Sequence, residues 1–209
     1  DGADVVFACP ARVYPIKEHA TLLTAFAEVR RARPAARLLL IGTGTNAETG
    51  RFARLRDRVG IAGSVIALGE RTRDDIALVQ AADSVVLSSA FGEGFPNVLG
   101  AAMSLKIPCI TTDVGDAAHV VGETGWVVSR RDPDALARAT EALYNMPEPA
   151  RERLGEAARA WIADRFRLES VLASYAKTLP RPRQHQQRQR RRAHGTRPAR
   201  GRARLSRAA

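Results

Sequence analysis

The chain has 209 residues and a formal charge of +11, from 33 Lys and Arg against 22 Asp and Glu. That length suffices for one sizeable domain with its own core, or one domain plus an appendage, and no apolar run approaches the roughly 20 residues of a membrane span. The charge is not spread evenly: from Arg181 onward there are eleven arginines and no acid, so the body is neutral and is not a generally basic, nucleic-acid-coating domain.

In chain order, short apolar runs alternate with amphipathic stretches. Residues 5–9 (VVFAC) read as a buried strand. Residues 18–31 place Leu22, Leu23, Phe26 and Val29 on one helical face. Residues 37–41 predict a strand that stops at Gly42-Thr43-Gly44, and 47–59 a helix closed by Gly60. Residues 65–68 predict a strand ending at Gly69, 74–82 a short helix and 84–88 a strand. Segment 91–103 (FGEGFPNVLGAAM) holds a glycine-flanked carboxylate, a proline and a run that starts a helix. Pro96 suits the first helical position, where no N–H partner is needed. A strand at 109–112, a loop with Gly115, a strand at 125–128 and helices over 134–144, 149–165 and 168–177 complete the pattern.

Solidly apolar strands alternating with helices predict an α/β fold, a Rossmann-like parallel sheet with helices on both faces. Residues 1–178 form that domain. Residues 179–209 predict a disordered Arg-rich tail, too poor in apolar side chains to offset its ordering entropy. Cys9 and Cys109 both fall in strands and predict buried free thiols, which fits a reducing compartment. The expected location is cytoplasmic, with a peripheral role at the membrane face allowed.

In such sheets ligands bind beyond the carboxyl ends of the strands. The loops 10–17, 42–46, 69–71 and 90–97 all lie there. A helix start gathers unpaired N–H groups and the positive dipole end, which together hold phosphate. Arg12 and Lys17, five residues apart on one loop, add a forked guanidinium and a compact ammonium. The four histidines, His19, His119, His185 and His194, are scattered and are expected to be ordinary surface or loop residues, so no metal site is expected.

Taken together, Arg12 to Lys17, Gly42-Thr43-Gly44, Glu93-Gly94-Phe95-Pro96-Asn97, Ala102-Met103, Ile107-Pro108-Cys109 and Thr112 to Gly115 closely resemble the C-terminal, nucleotide-sugar-binding domain of a retaining family 4 glycosyltransferase of the GT-B fold. The resemblance covers nearly all of residues 4–175. It implies transfer of a sugar from a nucleoside diphosphate with retention. Glu93, Arg12 and Lys17 would be catalytic: Glu93 bonded to donor-sugar hydroxyls, Arg12 and Lys17 neutralising the leaving diphosphate. The backbone from Gly94 through Phe95, Pro96, Asn97 and Val98 to Leu99 would cradle the diphosphate at the helix start. The backbone around Glu70 and Arg71 would touch the base. No cofactor is implied beyond the nucleotide-sugar donor.

Two departures stand out. The family signature is a Glu, seven intervening residues and a second Glu that binds the ribose, and the second position here is Ala101. The family's N-terminal acceptor domain is also not part of this stretch, so the chain alone is expected to be inactive, its acceptor a glycan or lipid-linked sugar. Two rivals remain. Gly42-Thr43-Gly44 followed by Glu70 partly matches the dinucleotide fingerprint of an NAD-binding oxidoreductase domain. The arginine tail would bind nucleic acid through phosphates, without aromatic stacking, since no Phe, Trp or Tyr follows Tyr175. An out-of-frame extension would have the same tail composition.

Overall fold

A computed structural model describes residues 5–71 and 75–178. The predicted tail, with His185 and His194, lies outside the described residues. The chain divides into two compact units, Asp1–Arg167 and Leu168–Ala209, so the boundary falls at the start of the last helix.

The first unit is built on six parallel strands, β1 (Val6–Pro10), β2 (Arg37–Ile41), β3 (Val65–Gly69), β4 (Ser84–Leu87), β5 (Cys109–Thr112) and β6 (Trp126–Val128), in the order β3-β2-β1-β4-β5-β6. Among the described residues seven α-helices accompany them: α1 (His19–Ala32), α2 (Gly50–Arg58), α3 (Asp75–Gln80), α4 (Asn97–Ser104), α5 (Ala117–Val121), α6 (Pro133–Tyr144) and α7 (Glu148–Phe166). In the second unit, α8 (Leu168–Thr178) exposes Leu168, Leu172 and Tyr175.

The chain steps from β1 outward through α1 and α2. It returns to the middle through α3 and steps the other way through α4 and α5. Right-handed crossovers put α1 and α2 on one face and α3 to α5 on the other. The strand order reverses between β1 and β4, which pair through Phe7 with Ser84 and Ala8 with Val85. That switch point is where such sheets open a crevice.

Strands β4 and β5 are buried at every position, as a sheet covered on both faces requires. Phe7 lies edge-on to Phe26 of α1 at 6.5 Å, and Leu23, Leu38, Leu40, Leu87, Leu99, Met103 and Ile110 are sealed around them. Each such side chain contributes about 1.5–3 kcal/mol of burial. Asp132 caps α6 by accepting from the Ala135 amide at 2.9 Å, with Pro133 in its first turn.

The predicted elements are present, with local shifts. Helix α2 starts at Gly50 rather than 47, because residues 43–46 form a turn. The loop around Gly115 contains the short α5, whose five residues are too few to show a period. Pro96 stands one place before α4, with extended backbone (φ −76°, ψ 92°), as its N-cap rather than its first residue. Cys9 and Cys109 are buried free thiols. Burial pushes both up, Cys9 to about 12, so neither is a nucleophile at neutral pH.

Candidate functional site

The loops beyond the strand ends are bonded to one another across the sheet. Gly42 donates to the Gly69 carbonyl at 2.7 Å, tying β2 to β3, and Val13 donates to the Thr43 carbonyl at 2.9 Å, tying the β1 loop to β2. The β1 loop then locks onto β4: Ala90 donates to Ile16 O at 2.8 Å and Ser88 Oγ to Lys17 O at 2.9 Å. Thr112 Oγ1 at the end of β5 donates to Ser89 O at 2.5 Å. Every loop of the expected site is therefore positioned by its neighbour.

This lattice places Lys17 against Glu93. The Lys17 ammonium forms an ion pair with Glu93 Oε1, and Ser89 Oγ donates to the same oxygen at 2.5 Å. The Glu93 side chain is 11% exposed and the Lys17 side chain 23%. Partial burial alone would push the Glu93 carboxyl up, but the bonds from Lys17 and Ser89 and the Lys17 charge outweigh it and hold the group below its ordinary value. Glu93 is thus an ionised acceptor at neutral pH. Its backbone is fixed from the far side. Gly115 (φ +59°) passes so close that a Cβ there would strike the Glu93 carbonyl oxygen, and the positive φ itself favours glycine.

Arg12 stands apart from this pair. It is exposed on the rim, its guanidinium 5.0 Å from the centroid of the Tyr14 ring. Glu70 and Arg71 are exposed beyond β3, and Glu70 accepts a bond from Thr43 Oγ1 at 3.0 Å.

Along α4, from its first residue to its C-cap, runs a cavity of about 360 Å³, lined by Pro10, Ile76, Val79, Asn97, Val98, Ala101 and Leu105. Ala101, Asn97 and Val98 thus share one wall. Glu70 and Arg71 do not line it. The cradle is narrower than expected: the Leu99 amide donates to the Pro96 carbonyl at 2.9 Å and its side chain is sealed. Gly94, Phe95, Asn97 and Val98 are the candidates that remain. Phe95 packs edge-on against Phe166 of α7 at 5.1 Å, which anchors this turn.

Three residues near the site carry weight that the sequence pattern did not suggest. Ser89 and Gly115 hold Glu93. His19, expected at the surface, is only 5% exposed and its ring nitrogen Nε2 lies 3.2 Å from the Ala11 carbonyl. Burial lowers it to about 4, the Ala11 bond opposing and the Lys17 charge adding to that effect. His19 opens α1, where one buried residue leaves no periodic signal. His119 is exposed, with its ring 5.5 Å from that of Phe166. Among the described residues no three His, Cys, Asp or Glu side chains are grouped as metal ligands, and no helix is long and apolar enough to cross a membrane.

The Gly42-Thr43-Gly44 loop does not have the form of a dinucleotide site. Such a site needs the glycines to open a helix directly, whereas α2 begins only at Gly50. A Cβ on Gly42 would lie 2.6 Å from the backbone of Ala11 and Arg12. That glycine serves loop packing.

A doubly wound sheet with an acidic and basic pair at its switch point has an architecture in which ligands bind beyond the strand ends. The chain belongs to the family described as glycosyl transferases group 1, which matches residues 4–146. It is 32% identical over 143 residues to the N-acetyl-alpha-D-glucosaminyl L-malate synthase of Bacillus anthracis, covering 67% of this chain and 36% of that protein. It is 29% identical over 183 residues to the D-inositol 3-phosphate glycosyltransferase of Mycolicibacterium paratuberculosis, covering 83% and 40%. The chain thus spans about two fifths of the length of these curated relatives. Among solved structures, a glycosyltransferase from Rickettsia africae superposes with a TM-score of 0.75 at 19% identity, covering 85% of this chain and 47% of that one. Anabaena HepE in complex with UDP gives 0.73 at 23%, covering 84% and 48%. These structural likenesses establish the Rossmann-like α/β fold, matching one part of GT-B glycosyltransferases.

Proposed function

We propose that this domain binds the nucleoside-diphosphate sugar donor of a retaining, family 4 type glycosyltransferase. The observation that carries the reading is the Lys17–Glu93 pair at the β1–β4 switch point, next to the cavity on α4. The diphosphate lies at the start of α4 against the amides of Gly94, Phe95, Asn97 and Val98. Lys17 and Arg12 neutralise the charge that grows as the bond from the anomeric carbon to the diphosphate oxygen breaks. Glu93, held ionised, accepts hydrogen bonds from sugar hydroxyls. The nucleoside lies along Asn97, Val98 and Ala101. These basic groups do the work a metal would do, and no cofactor is needed.

The acceptor is a glycan or lipid-linked sugar, and the reaction runs in the cytoplasm or at its membrane face. Transfer requires acceptor and donor in near-attack geometry, and this chain contributes the donor side. HepE is described in complex with UDP, so uridine is the first base to test. Calorimetric titration of the chain with UDP, GDP and NADH tests the reading. Saturable binding of a nucleoside diphosphate without NADH binding is expected; NADH binding in its place overturns it. Transfer to a glycan, followed by the anomeric configuration of the product, tests retention.

A further inference from the structure

A second cavity, of about 320 Å³, lies on the α1–α2 side of the β1 loop and shares no lining residue with the one on α4. That volume falls within the roughly 300–1,000 Å³ of small-ligand sites. Two large aromatic side chains stay open to solvent at its walls, Tyr14 at 52% and Phe91 at 44% exposure. Exposed aromatics on one cavity are an informative departure from normal burial.

The polar groups of this cavity are of both kinds. His19 lines it, and the Nε2 contact to Ala11 O assigns the ring proton to Nε2. Nδ1 is then a bare acceptor, buried and without a partner. Phe52 lies edge-on to the ring at 5.6 Å and fixes it. An orphaned buried acceptor costs stability unless something fills it. Glu18, at the mouth, offers a carboxylate whose Oε2 is 3.8 Å from Arg131 Nε, and Arg51 adds a second guanidinium.

We propose that this cavity binds one sugar ring of an uncharged glycan, its C–H face on Tyr14 and Phe91 and its hydroxyls bonded to His19 Nδ1, Glu18 and Arg131. A hydroxyl both donates and accepts, which these walls require together. A fully deprotonated anion has no proton to give Nδ1, and any anion is repelled by Glu18. A purely apolar ligand leaves Nδ1 unsatisfied. The proposal goes beyond the donor reading and stands on a separate set of side chains.

The test titrates the isotopically labelled 209-residue chain with methyl glycosides of glucose, galactose, mannose and N-acetylglucosamine, with and without UDP. We expect saturable, millimolar shifts of the Tyr14, His19 and Phe91 amides for at least one glycoside. The His19 Nδ1 resonance moves with them in long-range proton–nitrogen spectra. Phe91→Ala and Tyr14→Ala, both at exposed positions, each weaken that binding by roughly threefold to tenfold.

Glycoside shifts confined to Gly94 and Phe95 would place the ring in the donor groove and overturn the proposal. So would inorganic phosphate moving the cavity amides where no glycoside does, or no saturable shift with any glycoside. UDP binding without a glycoside response overturns this proposal alone. A glycoside response with binding of neither UDP nor GDP overturns the donor reading alone.

Discussion

The two ends of the β1–β4 crevice are made of different materials. At one end Lys17, Ser89 and Glu93 are joined by charge-assisted bonds and held by neighbouring loops. At the other, the wall on α4 is Asn97, Val98 and Ala101, facing Ile76, Val79 and Pro10, with no carboxylate among them. The charged end is tied into the sheet, so altering it disturbs structure as well as chemistry. The apolar end sits on the exposed side of a helix whose other side, Leu99, Ala102 and Met103, does the packing. A side chain there can lose its chemistry without cost to the fold. The contrast separates positions where function and stability are coupled from positions where they are not.

The largest effect should come from breaking the coupled end. Gly115→Ala places a methyl group on the Glu93 carbonyl at a positive φ. Overpacking against backbone and left-handed strain together predict a loss of about 2–5 kcal/mol. The measurement is the urea midpoint, with nucleoside-diphosphate binding lost in parallel. An unchanged midpoint would mean that this loop is not rigid.

Acid should act next, through His19. Its folded value of about 4 lies below its ordinary 6.5. Between those values the unfolded chain takes up a proton that the folded chain refuses. Stability is therefore full above pH 6.5 and falls as pH drops toward 4, by at most about 3 kcal/mol at 1.36 kcal/mol per pH unit. Glu93 loses its contribution further into acid, as pH falls through its own depressed value. Thermal midpoints of wild type and His19→Gln across pH 4–7 isolate the histidine part: the slope should flatten in the variant.

Lys17→Ala should weaken nucleoside-diphosphate binding by about tenfold to a hundredfold, since a bond to a charged group contributes roughly 1.5–3 kcal/mol. It should barely change the affinity for the uncharged nucleoside. Equal losses for both ligands would show that Lys17 acts through the fold and not on the diphosphate.

How far the sequence carries this picture differs between the same two ends. Apolar strands and the Glu93 segment were legible because they are local: period, glycine and proline signals sit within a dozen residues. The parallel sheet followed from the alternation of apolar strands and helices, while its strand order is set by long-range pairings that no local pattern carries. Ser89, Gly115 and His19 were not legible as site supports, because their partners lie far away in sequence or in backbone atoms, which carry no residue signal. Leu99 illustrates the opposite error. A helix start suggests a row of N–H donors, yet the first turn already occupies the Leu99 amide with the Pro96 carbonyl. The alanine at 101 was legible as a departure, and the cavity it lines gives that departure a place.

The smallest expected effect is the sharpest test of the apolar end. Ala101 is exposed and lines the α4 cavity on the same wall as Asn97. Ala101→Glu would put a carboxylate within reach of a ribose lying there, able to accept from both hydroxyls. Solvent at this position screens the bonds, so the gain should be about tenfold in affinity, near 1.4 kcal/mol, rather than the sum of two buried bonds. The fold should be untouched, since glutamate is also a good helix former and no packing is altered. The gain should vanish for the 2′,3′-dideoxyribose analogue, because the added carboxylate then has nothing to bond and only repels the diphosphate. Calorimetric titration of both proteins with both ligands reads all four values. Equal affinity of the two proteins for the ribose form would show that the nucleoside does not lie on this wall. The charged end would then have to bind the diphosphate in another direction from Glu93.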